Sequence, residues 1–223
     1  MKKALVLFSG GQDSTTCLYW AKQEFDHVDA LGFDYGQKHK VELQQASKIA
    51  EKAGVPFRVY DIKGLLTGGA LINQEQDVAG QSHLDTQLPA SFTAGRNILF
   101  LSIAGAYAKE NGIDNLVTGV CQTDYSGYPD CRNNFVHAMR NALALGLDND
   151  RLSIHTPLMW LTKAETWKLA ADLGVVDIII EDTHTDYNGD RSQKNEWGYG
   201  KLDNPASELR AAGYQEAKEK GWV

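Results

Sequence analysis

A short apolar run near the start of the chain leads directly into a glycine turn. The run covers residues 4–8, and the turn reads Ser9-Gly10-Gly11-Gln12-Asp13-Ser14 before a helix predicted over residues 15–24. A buried strand that feeds such a turn places backbone N–H groups and the positive end of a helix at one point. Gly10 and Gly11 lack a Cβ, so the backbone can approach a bound group closely. The turn therefore predicts an anion site, and its lack of a lysine excludes G-x-x-x-x-G-K chemistry.

The polar side chains of this turn have separate predicted roles. The hydroxyls of Ser9 and Ser14 can donate hydrogen bonds to a bound phosphate. Asp13 is predicted either to cap the helix or to position a metal ion.

Strand and helix patterns alternate along the rest of the chain. The predicted strands cover 28–33, 57–62 and 115–119, and the predicted helices 37–53, 96–111, 133–145 and 163–173; residues 157–160 start a further unit. This alternation predicts an α/β fold, a parallel sheet with helices on both faces and right-handed crossovers. Residues 9–14, 34–37 and 119–123 should then meet at the carboxyl ends of the strands, where ligands bind. The polar connection 63–95 is too long for a plain turn and is predicted to be a substrate lid.

Composition excludes several classes of partner and location. The chain has 223 residues and a net charge of −7, which favours one compact domain and argues against nucleic acid as a partner. No apolar run approaches the length of a membrane span, and the early core strand is unlike a signal peptide, so no membrane partner is expected. The three cysteines, Cys17, Cys121 and Cys131, show no pairing pattern, which is typical of a cytoplasmic protein.

In this setting the SGGxDS string resembles the pyrophosphate loop of the N-type ATP pyrophosphatases, whose PP-loop fold is Rossmann-like and similar to that of the adenine nucleotide alpha hydrolases. The resemblance implies an enzyme that cleaves ATP to AMP and pyrophosphate while it adenylates a substrate oxygen. It also implies that residues 9–14, Gln12 included, hold the β- and γ-phosphates. Mg²⁺ would offset the charge on the leaving group.

Further sequence motifs indicate which family of these pyrophosphatases the chain resembles. They are Phe33-Asp34-Tyr35-Gly36-Gln37, Gly95-Arg96-Asn97, Thr118-Gly119-Val120, Asp124-Tyr125-Ser126-Gly127-Tyr128-Pro129-Asp130-Cys131-Arg132, Thr156-Pro157-Leu158-Met159-Trp160 and Lys163-Ala164-Glu165-Thr166. Together they resemble QueC, the 7-cyano-7-deazaguanine synthase family of queuosine biosynthesis, from about residue 1 to about residue 190. The resemblance implies adenylation of 7-carboxy-7-deazaguanine, attack by ammonia to give the amide, and dehydration of the activated amide to the nitrile.

The resemblance also implies roles for individual residues. Lys163 would be a second phosphate contact that stabilises the departing pyrophosphate, or else a solvated lysine in a first helical turn. Arg96 would hold the α-phosphate or the substrate carboxylate, or else form an ion pair between helices. Both are assigned to catalysis together with Asp13. Besides the loop, the residues assigned to ATP binding are Tyr35, Gln37, Gly95, Asn97 and Gly119.

Five residues are assigned to the deazaguanine: Asp124, Tyr125, Tyr128, Asp130 and Arg132. A carboxylate can accept two hydrogen bonds from the N1–H and 2-amino edge of a guanine-like base. Asp124 and Asp130 are equal candidates for that contact, and either could instead cap a helix. Phe92, Tyr125 and Tyr128 could stack on the base, although aromatic side chains more often serve in packing.

The chain departs from the QueC family at its C-terminal zinc site. At the four cysteine positions of that site it has Asp186, Lys201, Asn204 and Ser207. No zinc is expected, because protonated lysine cannot bind zinc, and Asn and Ser are poor zinc ligands. Asp186 and Lys201 could pair as ions, with packing of Trp197, Tyr199, Leu202 and Leu209 providing most of the stability. We therefore predict a PP-loop domain over 1–180 and, over 181–223, a C-terminal extension that replaces the zinc region.

Two interpretations of the lost cysteines compete. In one, the chain is an ordinary synthase that uses ammonia and has lost a structural metal. In the other, it is a specialised relative that passes the acyl group to an amine of a partner protein, as QueC-like proteins do in antiphage defence operons (type IV CBASS). The joint absence of all four cysteines favours the specialised relative.

Two other classes of protein are also considered. A related pyrophosphatase, such as a GMP synthetase or a tRNA-thiolating enzyme, fits less well, since the chain lacks a basic tRNA surface and paired catalytic cysteines. A non-catalytic ATP-binding regulatory protein is the remaining alternative. Resemblance to QueC also implies a homodimer.

Overall fold

The strands and helices alternate over most of the chain. A computed structural model describes residues 1–37, 41–66, 68, 88–123, 127–184 and 191–223. The strands of the main sheet are β1 (Lys3–Leu7), β2 (His27–Asp34), β3 (Phe57–Asp61), β4 (Asn115–Val117) and β5 (Ser153–His155). The helices are α1 (Gln12–Glu24), α2 (Val41–Ala53), α3 (Arg96–Glu110), α4 (Asn133–Gly146), α5 (Lys163–Asp172), α6 (Val176–Asp182) and α7 (Pro205–Glu219). A short antiparallel hairpin, β6 (Lys194–Asn195) and β7 (Gly198–Tyr199), precedes α7.

The main sheet has five parallel strands in the order β3-β2-β1-β4-β5. β1 is central, with β2 on one side and β4 on the other, so the loop after β1 lies where the strand order reverses. Ligands bind at this point in open α/β sheets. The predicted α/β fold with a parallel sheet is confirmed.

Side chains of β1 alternate between two apolar cores. Val6 packs in one core with Cys17 and Leu18 of α1. Leu5 points to the other face and packs with Leu101 of α3 and other residues. Because successive side chains of a strand point to opposite faces, helices cover both faces of the sheet. All of these β1 and α1 side chains are fully buried.

A third core lies in the C-terminal part of the chain. It joins Trp167 of α5, Ile179 of α6, Trp197 of the hairpin and Ala217 of α7. The core therefore crosses the predicted domain boundary at residue 180, and that division stays a prediction. Among the described helices, none is both long and apolar enough to cross a membrane.

The structure differs from the sequence-based elements in several places. α1 begins at Gln12 rather than Thr15, so the second half of the glycine turn forms the first helical turn. The strand β5, the helices α6 and α7 and the hairpin were not predicted, and residues 157–160 form a turn. Most of the proposed lid, residue 67 and residues 69–87, lies outside the described residues.

Candidate active site

The N-terminus of α1 leaves its first backbone N–H groups available. Gly11 is the N-cap residue, and no side chain within the described residues caps this helix. The Ser9 and Ser14 hydroxyls lie 3.1 Å apart, and the Ser14 hydroxyl donates to the Gly11 carbonyl at 3.3 Å. Uncapped N–H groups at a helix start, next to two hydroxyls, are the kind of donors that an anion site requires, and the anion site itself stays a prediction.

Two glycines allow neighbouring elements to pack directly on this loop. Gly10 has a φ of +81°, and a Cβ there would lie only 2.7 Å from the Ala46 backbone nitrogen of α2. A Cβ on Gly119, after β4, would lie 3.2 Å from the carbonyl carbon of Asp13. A side chain at Gly10 would displace the loop, whereas a side chain at Gly119 would require the loop to shift by only a few tenths of an ångström. Gly119 thus lies at the predicted site.

Gln12 is the loop residue whose side chain is most buried. It is 2% exposed, and its amide atoms find no hydrogen-bond partner among the described residues. Burying an amide without a hydrogen-bond partner costs free energy, so we expect the Gln12 amide to bind a group that the described residues do not provide.

Asp13 and Lys163 meet beside the loop. The Lys163 amine donates to both Asp13 carboxylate oxygens, at 3.0 and 2.9 Å. Asp13 therefore lies inside the first turn of α1 and pairs with a lysine, and it does not act as a helix cap. Only 14% of the Lys163 side chain is exposed, so the alternative of a solvated lysine is wrong. A small cavity next to the pair is lined by Asp13, Cys121, Leu158, Leu161, Lys163 and Thr166.

The position of Lys163 follows from a capping box at the start of α5. The Thr162 hydroxyl accepts from the Glu165 backbone N–H at 3.2 Å, and the Glu165 carboxylate accepts from the Thr162 N–H at 2.8 Å. This reciprocal pair fixes the first helical turn, of which Lys163 is the first residue.

Arg96 opens α3 among aromatic side chains. Its guanidinium lies 5.7 Å from the centre of the Tyr128 ring, and it also hydrogen-bonds the Tyr35 side chain. Burial alone would lower the pKa of Arg96, but Tyr35, Tyr128 and Asp130 raise it overall. The guanidinium is therefore a permanent cation at the start of a helix. Gly95, in the left-handed region with φ 79°, is the N-cap of α3.

Tyr128 and Asp130 hold this region together. The Tyr128 hydroxyl lies 2.6 Å from the Ser91 hydroxyl, and its ring is 5.8 Å from that of Phe92. One Asp130 carboxylate oxygen accepts from the Asn97 backbone N–H at 3.2 Å, while the Asn97 amide donates to the Asp130 carbonyl at 3.1 Å. Asp130 thus satisfies a backbone donor in the first turn of α3, which matches the helix-cap alternative.

The side chains of two other predicted site residues form hydrogen bonds with backbone groups. The Gln37 amide accepts from the Tyr35 N–H at 3.0 Å and donates to the Phe33 carbonyl at 3.3 Å, so it closes the turn after β2. Arg132 is exposed and donates to the Gly127 carbonyl at 3.3 Å. Asp124 and Tyr125 lie outside the described residues.

Glu42, in the first turn of α2, belongs to this site but was missed in the sequence. Its backbone carbonyl lies 2.9 Å from where a Cβ of Gly10 would be. Burial raises the pKa of Glu42 to about 7, although Arg96 acts in the opposite direction. An acidic residue in a first helical turn is usually a solvated charge that interacts favourably with the helix dipole, so the sequence carried no signal that the Glu42 side chain is partly buried.

The residues at the family's cysteine positions have other roles. Asn204 is the N-cap of α7, and its amide oxygen accepts from the Ser207 backbone N–H at 3.1 Å. Ser207 is fully buried, while Lys201 is exposed and Asp186 lies outside the described residues. In the part of the chain that the structure describes, no group of three or more His, Cys, Asp or Glu side chains could hold a metal ion. This donor set does not fit a structural zinc.

Arg210 links the elements of the C-terminal segment. It is fully buried and donates to the Trp197 carbonyl at 3.0 Å, the Thr183 hydroxyl at 2.8 Å and the Ile179 carbonyl at 2.7 Å. Burial lowers the pKa of Arg210 to about 9, so the guanidinium is still charged at neutral pH. α7 is thereby tied to α6 and to the hairpin.

Comparison with known proteins extends over almost the whole chain. The family model described as queuosine biosynthesis protein QueC matches residues 3–218. A 7-cyano-7-deazaguanine synthase of Clostridium acetobutylicum is 49% identical over 219 residues, 97% of this chain and 95% of that protein. A synthase of the same name from Wolinella succinogenes is 45% identical over 216 residues, 96% of this chain and 92% of that protein.

A solved structure shares the fold. It is described as a predicted subunit of tRNA methyltransferase from Methanocaldococcus jannaschii, with a TM-score of 0.50, 18% identity, and coverage of 77% of this chain and 75% of that one. This likeness shows the fold alone. The family match and the two synthases confirm the predicted family and the predicted class of enzyme: the chain belongs to the QueC family of queuosine biosynthesis proteins.

Proposed function

We propose that this protein is a 7-cyano-7-deazaguanine synthase, which converts 7-carboxy-7-deazaguanine, ammonia and ATP to the nitrile. The observation that carries the proposal is the uncapped α1 N-terminus with the Asp13–Lys163 pair beside it. It occurs in a chain whose relatives at 45–49% identity carry that name. A site for pyrophosphate at this position leaves the α-phosphate facing an acceptor.

The proposed chemistry uses two activations. A carboxylate oxygen of the substrate attacks the α-phosphorus of ATP, and pyrophosphate leaves. Ammonia attacks the resulting acyl adenylate, AMP leaves with the former carboxylate oxygen, and loss of a proton gives the amide. The amide oxygen then attacks the α-phosphorus of a second ATP, and a second pyrophosphate leaves. Loss of AMP and of two protons from nitrogen forms the carbon–nitrogen triple bond.

In this proposal the loop and Lys163 bind the part of ATP that departs. The N–H groups of α1 and the Ser9 and Ser14 hydroxyls hold the β- and γ-phosphates. Lys163 is placed to transfer its contact from Asp13 to a phosphate oxygen, which stabilises the leaving pyrophosphate. Such groups act through charge stabilisation and positioning, as in other phosphoryl-transfer sites.

Asp13 is suited to a magnesium ion. Mg²⁺ prefers oxygen ligands and is commonly bound by one or two carboxylates together with substrate phosphates. The carboxylate of Asp13 is such a ligand, and it is half-buried next to the loop. When bound, the ion would offset negative charge on the phosphates.

The substrate acid is proposed to bind beside Arg96 and Tyr128, which contact each other. The Arg96 cation suits a carboxylate or the α-phosphate, since its fork of donors matches planar oxygen pairs. One oxygen of Asp130 is used by the α3 backbone, so the base-edge contact assigned to Asp130 depends on its second oxygen. The roles of Asp124, Tyr125 and Arg132, and the homodimer, also stay predictions.

Relatives favour ammonia as the acceptor over a protein amine. The joint absence of four cysteines was the reason to expect transfer to a partner protein. The named relatives are synthases, so they support the alternative of an ordinary synthase better, and nothing in the comparisons supports a protein partner. The cysteine loss then affects how the C-terminal segment is stabilised and leaves the reaction unchanged.

Product analysis by mass spectrometry tests the proposal. Purified protein is incubated with 7-carboxy-7-deazaguanine, ATP, Mg²⁺ and ammonium, and the expected products are the free nitrile, AMP and pyrophosphate. Absence of substrate-dependent pyrophosphate would refute the adenylation. Pyrophosphate release together with amide that never becomes nitrile would refute the second activation only.

A further inference from the structure

Helix α7 packs directly against the side chain of Lys163. A Cβ on Gly213 would lie 2.6 Å from Cγ of Lys163, 2.8 Å from its Cβ and 2.9 Å from its carbonyl carbon. Gly213 is buried within α7 and has no positive φ, so space is what excludes a side chain there. Helix interiors disfavour glycine by about 1 kcal/mol relative to alanine, so this position carries a local cost.

Neither helix can move away cheaply at this contact. The backbone of Lys163 is fixed by the capping box of Thr162 and Glu165. On the side of α7, the Arg210 carbonyl accepts from the Trp167 indole N–H at 3.2 Å, and the Tyr214 and Trp167 rings meet edge to face at 5.0 Å. Extra volume at position 213 must therefore strain the contacts with the Cβ and the backbone of Lys163 as well as with its Cγ, and it displaces the start of α5 together with the Lys163 side chain.

The Lys163 stem passes over Gly213 before its amine reaches Asp13. Its Cγ is the atom nearest to position 213, and rotation there moves the amine at the end of the chain. The amine now lies 3.0 and 2.9 Å from the Asp13 oxygens, in a geometry that depends on that rotamer.

We infer that Gly213 is a positioning residue, which lets the C-terminal helix hold the Lys163 side chain on its path to the pyrophosphate loop. The inference rests on the proposed function, in which Lys163 contacts the departing pyrophosphate. Under this inference, the segment after residue 180 contributes to the reaction by positioning Lys163. Asn204 and Arg210 hold this segment in place where the family has zinc.

The substitution Gly213→Ala, compared with Gly105→Ala, tests this inference. Gly105 is also a buried helical glycine without positive φ, but the atoms nearest to a Cβ there are side-chain ends of Leu143 and Leu147, at 3.1 to 3.3 Å. For substrate-dependent pyrophosphate release we expect Gly213→Ala to lower kcat about 10- to 100-fold, because small misplacement of a charge-stabilising group is costly. KM for ATP should change less than about threefold, and Gly105→Ala should keep kcat within about twofold.

The double variant separates positioning from a general loss of structure. If Gly213 acts through Lys163, Gly213→Ala combined with Lys163→Met should have the same kcat as Lys163→Met alone. A multiplicative loss, or a folded Gly213→Ala protein with normal kcat, would overturn the inference. If Gly213→Ala does not fold, Tyr214→Leu replaces it: this variant loosens α7 on Trp167 and should lower kcat in the same Lys163-dependent way, and unchanged kcat would refute the inference.

An NMR measurement distinguishes failure of the inference from failure of the proposed function. The Lys163 side-chain Cε–Hε signal is assigned by its loss in Lys163→Met. It should shift in Gly213→Ala and stay in place in Gly105→Ala, whether or not the protein turns over the deazaguanine acid. An unshifted signal in Gly213→Ala would overturn the positioning role. A shifted signal in Gly213→Ala, together with no pyrophosphate release by the unmodified protein, would refute the proposed function alone.

Discussion

The amine of Lys163 donates to both carboxylate oxygens of Asp13, at 3.0 and 2.9 Å, although 150 residues separate them in the chain. The pair connects the loop after the central strand to the start of α5. It also places a positive charge beside an uncapped helix N-terminus, where negative charge is favoured.

Replacing Lys163 by Met should lower the kcat for pyrophosphate release by about 100- to 1,000-fold, the usual effect of losing one charge-stabilising donor. The matched control is Lys168→Met on the same helix, which removes only an exposed pair with Asp172. Steady-state assays of pyrophosphate measure both variants. Equal kcat in Lys163→Met and the unmodified protein would contradict the role of Lys163.

Gly10→Ala should abolish ATP binding, whereas Gly64→Ala should not. Both glycines have a φ of +81°, so alanine at either position costs about 1–2 kcal/mol of backbone strain. Only at Gly10 would the new Cβ also meet backbone atoms of α2, and nothing lies within 4 Å at Gly64. Calorimetric titration with ATP measures the difference; similar affinities of the two variants would show that α2 does not constrain the loop.

Arg210→Met should lower the free energy of unfolding by about 3–5 kcal/mol, because it leaves buried carbonyl and hydroxyl groups without their donor. Arg151→Met is the control, since that side chain is 82% exposed and its pair with Asp114 should contribute less than about 1 kcal/mol. Urea unfolding of both variants provides the measurement. A loss below about 1 kcal/mol in Arg210→Met would mean that the C-terminal core does not depend on this cation.

Glu42→Gln should make stability less dependent on pH between about 5 and 8. Burial raises the pKa of Glu42 from 4.5 to about 7, so the native state retains a proton that the unfolded chain releases first. The stabilisation is complete below pH 4.5 and is lost as the pH rises through 7, by at most ~3 kcal/mol. Unfolding curves across this range are compared with those of Glu51→Gln, an exposed position on the same helix. Parallel curves for Glu42→Gln and the unmodified protein would contradict this.

Chelation should leave the melting temperature of the protein unchanged. A structural zinc contributes strongly to folding, so its removal would lower the melting temperature markedly. Asn204 and Ser207 instead form the N-terminal cap of α7. Calorimetry with and without EDTA is combined with metal analysis of the purified protein; one zinc per chain and a lower melting temperature after chelation would show that a metal is bound.

Local patterns were enough to predict the fold and the glycine turn after the first strand. A strand, a glycine turn and a helix follow one another within the first 24 residues, and each is specified by neighbours in the chain. Alternating strands and helices then imply a parallel sheet, because crossovers of one hand leave few other arrangements. The hairpin and α6 were missed, since two-residue strands and a seven-residue helix carry little periodic signal.

What tertiary structure decided is which distant side chains meet. An arginine in a helix is usually exposed, but contacts with Trp197, Thr183 and Ile179 help to hold Arg210 fully buried. A glycine inside a helix is locally unfavourable, and the sequence does not explain why one stands at position 213. The structure shows that Lys163 occupies the space that a Cβ there would fill. The sequence alone therefore determined the glycine turn after β1 and the sheet that presents it, because their signals are local. Packing between residues far apart in the chain determined the charge, burial and position of the groups around the loop.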